Sequence, residues 1–213
     1  MAYKIATKVL ANRLKLIIDD LIIHHQNAFV KGRLIIDNII LTHELLHTIK
    51  REKKKVRLHF TALKVDLSKA YDRLNWNFIE ATLQKMGFSQ QWTQLMIQCV
   101  SIVTYNILVN GAPTEKFKPN CGIRQGDPLS PYIFIICANI LSCMLQDLEA
   151  KGMLKGVEIN KRGLPISHLM FADDIIIFYK VANQTTDKLN QTLQNFWEMS
   201  GQKINWHQIN RGD

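Results

Sequence analysis

Apolar residues along positions 4–24 recur at helical spacing, with Ile5, Val9, Leu10, Leu14, Ile17, Ile18 and Leu21 on one broad face. A second helix is expected over 36–52, and the charge run Lys50–Arg57 reads as the connection after it. The period then changes. Leu63, Val65 and Leu67 alternate with Lys64, Asp66 and Ser68, the two-residue repeat of a strand. That repeat turns the apolar set toward a core and Asp66 the other way, near the strand's C-terminal end. Two helices follow, roughly 75–86 and 90–102, separated by Gly87 and Ser89. Tyr105, Ile107 and Val109 alternate up to Asn110-Gly111, a pair that tolerates positive φ and signals a hairpin. Ser130 and Pro131 suit an N-cap followed by proline at the first helical position. The helix after them is apolar nearly all round, which makes it central. A β-rich patch covers 164–179 and breaks at Ala172-Asp173-Asp174, predicting a hairpin with acids at its tip. A helix at about 184–199 and a short extended end close the chain. Helices interleaved with hairpins predict an α+β domain.

Composition narrows the picture. The chain has 213 residues, 47% apolar and 21% charged, enough to bury a core in one large domain or two small ones. Its net charge is +9, of which residues 1–60 carry +7. Such a segment suits phosphate-rich partners, because Lys and Arg displace counterions from a nucleic-acid backbone; a solvated charged face is the plainer alternative. The longest mostly apolar stretch, Tyr132–Leu145, is broken by Asn139 and Ser142 and is too short to predict a membrane span. Lys4, Lys8, Arg13 and Lys15 recur through the apolar N-terminal stretch, unlike a signal peptide. Cys99, Cys121, Cys137 and Cys143 form no CxxC pair and read as free thiols of a reducing, intracellular compartment.

The chemistry centres on Asp173-Asp174. Two adjacent carboxylates between Leu169-Met170-Phe171 and Ile175–Phe178 repel each other near a core, and a divalent cation reverses that cost. Oxygen-only ligands favour Mg²⁺ or Mn²⁺ over zinc. Asp66, also at a strand end, is the third candidate ligand. Two metals about 3.5–4 Å apart can activate a 3′-hydroxyl and steady a leaving pyrophosphate. A plain Asp-Asp turn is the alternative. A rival from another class is His43-Glu44-Leu45-Leu46-His47, a literal HExxH that puts two imidazoles one helical turn apart, as zinc peptidases require. It still needs a third ligand, and its helix is also explained by packing.

Five further stretches, in order, carry a resemblance. Gln26–Arg33 looks like a fingers motif. Asp66-Leu67-Ser68-Lys69-Ala70-Tyr71-Asp72, followed by Trp76, looks like polymerase motif A. Gly122–Pro131 looks like motif B, Phe171-Ala172-Asp173-Asp174 like motif C, and Ser200–Asn205 like motif D. The chain thus resembles the reverse transcriptase domain of non-LTR (LINE-type) retrotransposons, those of plants most closely, over nearly its whole length. The resemblance implies a polymerase palm (61–213) with partial, basic fingers (1–60), and a chain that begins inside the fingers and ends after motif D, without a thumb. It implies RNA-directed DNA polymerase activity with two Mg²⁺ ions, for which Mn²⁺ substitutes. RNA template, DNA primer and dNTPs are the implied partners, and the nucleus the implied location; missing thumb and fingers segments would come from a parent polyprotein.

By the same resemblance, Asp66 and Asp173 are direct metal ligands and Asp174 assists near the primer end. Tyr71 lies under the sugar and rejects a 2′-hydroxyl; many relatives have Phe there, and a core tyrosine is the alternative. Leu67, Gln125 and Gly126 contact the incoming nucleotide and template. Arg124 is a phosphate contact or a surface cation. Arg33 is a fingers cation near the triphosphate or a solvated arginine. Lys203 is a proton donor to pyrophosphate or an exposed lysine. A catalytically inert retroelement remnant, or a basic nucleic-acid-binding fragment, is the non-enzymatic alternative. The terminal Arg211-Gly212-Asp213 is expected to be the end of a truncated reading frame rather than an integrin motif.

Overall fold

A computed structural model describes residues 2–53, 60–160 and 163–204. Lys54, Lys55, Asn205 and the terminal Arg211-Gly212-Asp213 lie outside the described residues. The elements run α1 (Ala2–Leu21), α2 (Ile35–Lys53), β1 (Phe60–Ser68), α3 (Ala70–Arg73), α4 (Trp76–Lys85) and α5 (Gln90–Ser101). There follow β2 (Leu108–Val109), β3 (Ala112–Pro113), α6 (Ser130–Ala150), β4 (His168–Phe171), β5 (Asp174–Lys180), α7 (Asn183–Ser200) and β6 (Lys203–Ile204). The α+β expectation holds. Asn110 and Gly111 both take positive φ between β2 and β3, as that pair of residue types anticipates.

Four strands form one antiparallel sheet in the order β4-β5-β1-β6. Period-two alternation gives the sheet two unlike faces. Leu63, Val65, Leu67, Ile175 and Ile177 enter the main core with α1, α4, α5, α6 and α7. Ala62, Leu169 and Phe178 meet Leu45 and Ile49 of α2 on the other face. Asp66 lies on this second face, as the alternation predicts, beyond the patch that α2 covers.

The central helix is α6, buried on most sides and packed by α1, α4 and α7. It is long and apolar enough to cross a membrane by composition alone, and its packing in the core accounts for that apolarity. One expectation changes at its start. Ser130 is the first helical residue and Leu129 stands at the N-cap with no side-chain cap, while Asp127 Oδ1 accepts from Leu129 N at 2.9 Å in the turn before it. Cys137 is buried, but Cys143 is exposed on the same helix.

The two polar interruptions of α6 each have a task. Asn139 accepts from Ile23 N (3.0 Å) and donates to Leu21 O (3.2 Å), which satisfies backbone groups at the end of α1. Ser142 Oγ meets His168 Nε2 at 2.5 Å, and His168 Nδ1 meets Ser167 Oγ at 3.0 Å. Ser167 in turn donates to Glu149 Oε2 at 3.0 Å. Burial, and after it the charge of His25, whose tilted ring lies 4.3 Å away, pulls the His168 pKa down to about 3.

Two predictions follow from this packing. Gly201 ends α7 at φ +75°, and a Cβ there would lie 2.5 Å from Arg73 O. Gly201→Ala is expected to destabilise the chain by more than about 1 kcal/mol, measured by urea unfolding. For His168, the unfolded chain takes up a proton below pH 6.5, whereas the folded chain resists until about 3. Its contribution is therefore fully present above pH 6.5 and is lost as pH falls toward 3. His25, also lowered by burial, acts in the same sense, while Glu149, raised by burial, acts in the opposite one. Unfolding midpoints compared at pH 7.5 and 5 should fall less for His168→Asn than for the natural chain.

Candidate active site

The register of β1 against β5 sets Asp66 directly opposite Asp174. Phe171 pairs with Asp174 across β4 and β5, so the hairpin turn is only Ala172-Asp173. Asp174 is thus the first residue of β5, and Asp173 alone of the two acids sits at the exposed tip. Ala172 holds φ +58°, a left-handed conformation uncommon for alanine. Lys64 precedes Asp66 by two residues on the same face, and its Nζ lies 3.1 Å from Asp174 Oδ1. Both members of this pair are substantially exposed, so it adds little stability, but it sets a positive charge against the acid.

α3 follows β1 directly and carries Tyr71. The half-buried ring stacks on Phe134 with centroids 5.1 Å apart and planes 16° from parallel. Burial raises the phenol's pKa, and the negative charge of Asp173 raises it further, which places Tyr71 in that carboxylate's field. The stretch before α6 is anchored to the same turn. Gly122 N donates to Leu74 O and Ile123 N to Tyr71 O, each at 2.8 Å, and Trp76 Nε1 donates to Gly122 O at 2.7 Å. A Cβ on Gly122 would lie 2.7 Å from Asp72 O, so this close approach requires glycine. Arg124, Gln125 and Gly126 form an exposed loop, with Gln125 Nε2 donating to Asp72 Oδ1 at 3.4 Å. A cavity of about 610 Å³ opens beside it, lined by Asp72, Tyr105, Phe117, Arg124 and Gln125 among others.

β6 pairs with the end of β1, Lys203 opposite Ser68, and leaves the Lys203 side chain exposed. The structure therefore gathers Asp66, Asp173, Asp174 and Tyr71 at one end of the sheet, with Lys203 on the adjoining strand. Leu67 is buried in the main core, as the alternation predicts, so it offers a ligand only its backbone. Arg33 differs from expectation. Its Nε donates to Asp19 Oδ1, its Nη1 to the carbonyls of Ile23 and Gln26 and its Nη2 to those of Asp19 and Ile22, all at 2.8–3.1 Å. A guanidinium has five N–H donors, and all are used in closing the end of α1. Arg33 is a scaffold cation here and has no donor left for a triphosphate.

The donor chemistry fits a hard divalent cation, since the acids supply oxygens only. Among the described residues no three His, Cys, Asp or Glu side chains form a closed metal cage, the aspartates included. His43, Glu44 and His47 are exposed on α2 and belong to no such cluster, so the zinc-peptidase alternative gains no third ligand among the described residues. Three contributors escaped the sequence reading: Lys64, Asp72 and Gln26. The period of β1 puts Lys64 on the face of Asp66, which was the signal available for it.

The reverse transcriptase (RNA-dependent DNA polymerase) family matches residues 1–211, and the chain belongs to it. It is 27% identical over 206 residues to the Transposon TX1 uncharacterized 149 kDa protein of Xenopus laevis, covering 96% of this chain and 15% of that protein. It is 30% identical over 178 residues to the Pol polyprotein of a type-1 R2 retrotransposable element of Popillia japonica, covering 82% of this chain and 24% of the polyprotein. A 67-residue stretch is 45% identical to an uncharacterized mitochondrial protein of Arabidopsis thaliana. These relatives support a domain of a LINE-type element. The chain spans about a sixth to a quarter of the two long ones. In fold it is similar to telomerase from Candida tropicalis, solved with a fragment of telomeric RNA, at a TM-score of 0.66 and 14% identity, over 96% of this chain and 33% of that one. The architecture is thus a polymerase palm with part of the fingers.

Because Lys64 neutralises Asp174, Lys64→Met is expected to lower the Mn²⁺ concentration for half-saturation by about two- to five-fold, read by titration calorimetry.

Proposed function

We propose that this chain is the catalytic portion of an RNA-directed DNA polymerase, adding deoxynucleotides to a primer 3′-end on an RNA template. The observation that carries the reading is the cross-strand pair Asp66 and Asp174, with Asp173 in the adjoining turn and Tyr71 in its field. In the reaction the primer 3′-oxygen forms a bond to the α-phosphorus and loses its proton. The bond from that phosphorus to the β-bridging oxygen breaks, and pyrophosphate leaves. Mg²⁺, or Mn²⁺ in its place, would supply charge neutralisation when bound to Asp66 and Asp173.

The chain's own groups divide the remaining work. Asp174 holds charge next to the primer end, balanced by Lys64. Tyr71, fixed by its stack on Phe134, presents its ring to the sugar and excludes a 2′-hydroxyl by contact. The Gln125 amide and the exposed Gly126 backbone meet the nucleotide and template, and Arg124 meets a phosphate. Lys203 delivers a proton to the leaving pyrophosphate. Residues 1–60 serve as basic fingers and 61–213 as palm. The RNA template, DNA primer and dNTPs are the partners, within a longer polypeptide that works on nuclear DNA.

Primer extension by the purified chain on an RNA template tests this, beside Asp173→Asn/Asp174→Asn. Extension requiring dNTPs and Mg²⁺ or Mn²⁺, reduced at least about 10³-fold in the double variant, is expected. No extension from a chain shown by circular dichroism to be folded would withdraw the activity from this chain. Tyr71→Ala is expected to raise the relative use of ribonucleotides by at least about ten-fold, a loss of about 1.4 kcal/mol of discrimination.

A further inference from the structure

Gln26 lies far from the carboxylates in sequence, yet its side chain is 1% exposed and reaches the hairpin that carries them. Its Oε1 accepts from Ala172 N at 3.2 Å, and its Nε2 donates to Ala172 O at 3.3 Å. The same Oε1 accepts from Ala28 N at 2.9 Å. One amide thus grips both polar backbone groups of the single turn residue that holds positive φ. We infer that Gln26 is a positioning residue, a clamp that holds the Ala172-Asp173 turn in its left-handed conformation and so fixes where the Asp173 carboxylate stands. This inference rests on the polymerase reading for its consequence, though not for its geometry.

The clamp is itself held rigid. Asn38 donates to Met170 O and to His25 O, and Met170 N donates to His25 O at 2.9 Å, so the strap before Gln26 is laced to the edge of β4. Asn27 donates to Asn38 Oδ1 at 2.9 Å and to Leu34 O at 3.0 Å. Arg33 closes the other side by donating to Gln26 O. An amide suits this grip, because its oxygen and NH₂ sit side by side and can accept from and donate to the same residue's backbone without a charge. A glutamate in its place would set a third negative charge next to Asp173 and lose the donor.

The test uses the 213-residue chain with Gln26→Met, and with Ala172→Gly added. Glycine adopts positive φ without a clamp. In Gln26→Met we expect the Ala172 amide to exchange with solvent at least about ten-fold faster while the β1 and β5 amides keep their protection. Mn²⁺ affinity should fall at least about three-fold and return to within about two-fold of the natural value when Ala172→Gly is added. Equal acceleration of all sheet amides, unchanged Ala172 exchange, or no recovery with glycine would overturn the inference. Should Gln26→Met fail to fold, Gln26→Asn, whose amide stops one methylene short, is read by the same criteria. Primer extension on the same samples separates the two claims. A natural chain that extends nothing, or binds no Mn²⁺, defeats the polymerase reading, while the exchange rates still decide the clamp.

Discussion

The register between β1 and β5 is the constraint on which the site depends. Seven consecutive pairs, from Phe60 with Lys180 to Asp66 with Asp174, set one carboxylate against another at the end of the sheet. Like charges opposite each other are unfavourable, so the pairing must be imposed from elsewhere. It comes from the apolar residues of the same strands. A slip of one residue would send Leu63, Val65 and Leu67 out of the main core and turn Asp66 into it. The burial of those side chains outweighs the repulsion of two partly solvated acids, and Lys64 offsets part of what remains.

The other polymerase motifs are fastened to the short turn that leaves β1. α3 is only four residues long, and its backbone is approached from two sides. A Cβ on Gly122 would lie 2.7 Å from Asp72 O, and one on Gly201 2.5 Å from Arg73 O. Asn75 N also donates to Ser200 O, and the Gln202 amide donates to Ala70 O. Segments distant in sequence are thus set around Tyr71 by backbone contacts. That explains how a sheet of four strands, one of them two residues long, holds an extended active surface.

Much of this was legible in the sequence, and the limits of legibility have physical causes. The alternation around Asp66 and the break at Ala172-Asp173-Asp174 report local periodicity, which a single chain displays directly. Asn110-Gly111 marked its hairpin for the same reason. The tasks of Asn139 and Ser142 could not be read, because their partners lie 118 and 26 residues away and depend on how α6 packs. The sequence displayed them only as interruptions in an apolar helix. Ser130 lies one residue inside α6 rather than at its cap, a one-residue shift of boundary that local residue types do not resolve. Gln26 stood inside a recognisable motif, but a motif does not say what a buried amide holds.

Arg33 and Arg124 show how donor accounting separates scaffold from chemistry. Both are arginines in polymerase motifs, and sequence treats them alike. The guanidinium of Arg33 has five donors and spends every one on the end of α1 and its neighbouring carboxylate. To meet a phosphate it would have to release carbonyls at the end of α1, a cost of the order of 1–3 kcal/mol for each buried group left without a donor. Arg124 is exposed on the loop before α6, beside the cavity that Gln125 and Asp72 line. The same accounting places Gln26 and Asn38 with the scaffold and leaves Asp173 and Lys203, both exposed, available to the proposed chemistry. A polymerase needs this division, since the groups that meet a succession of nucleotides must be free to exchange partners, and the groups that aim them must not.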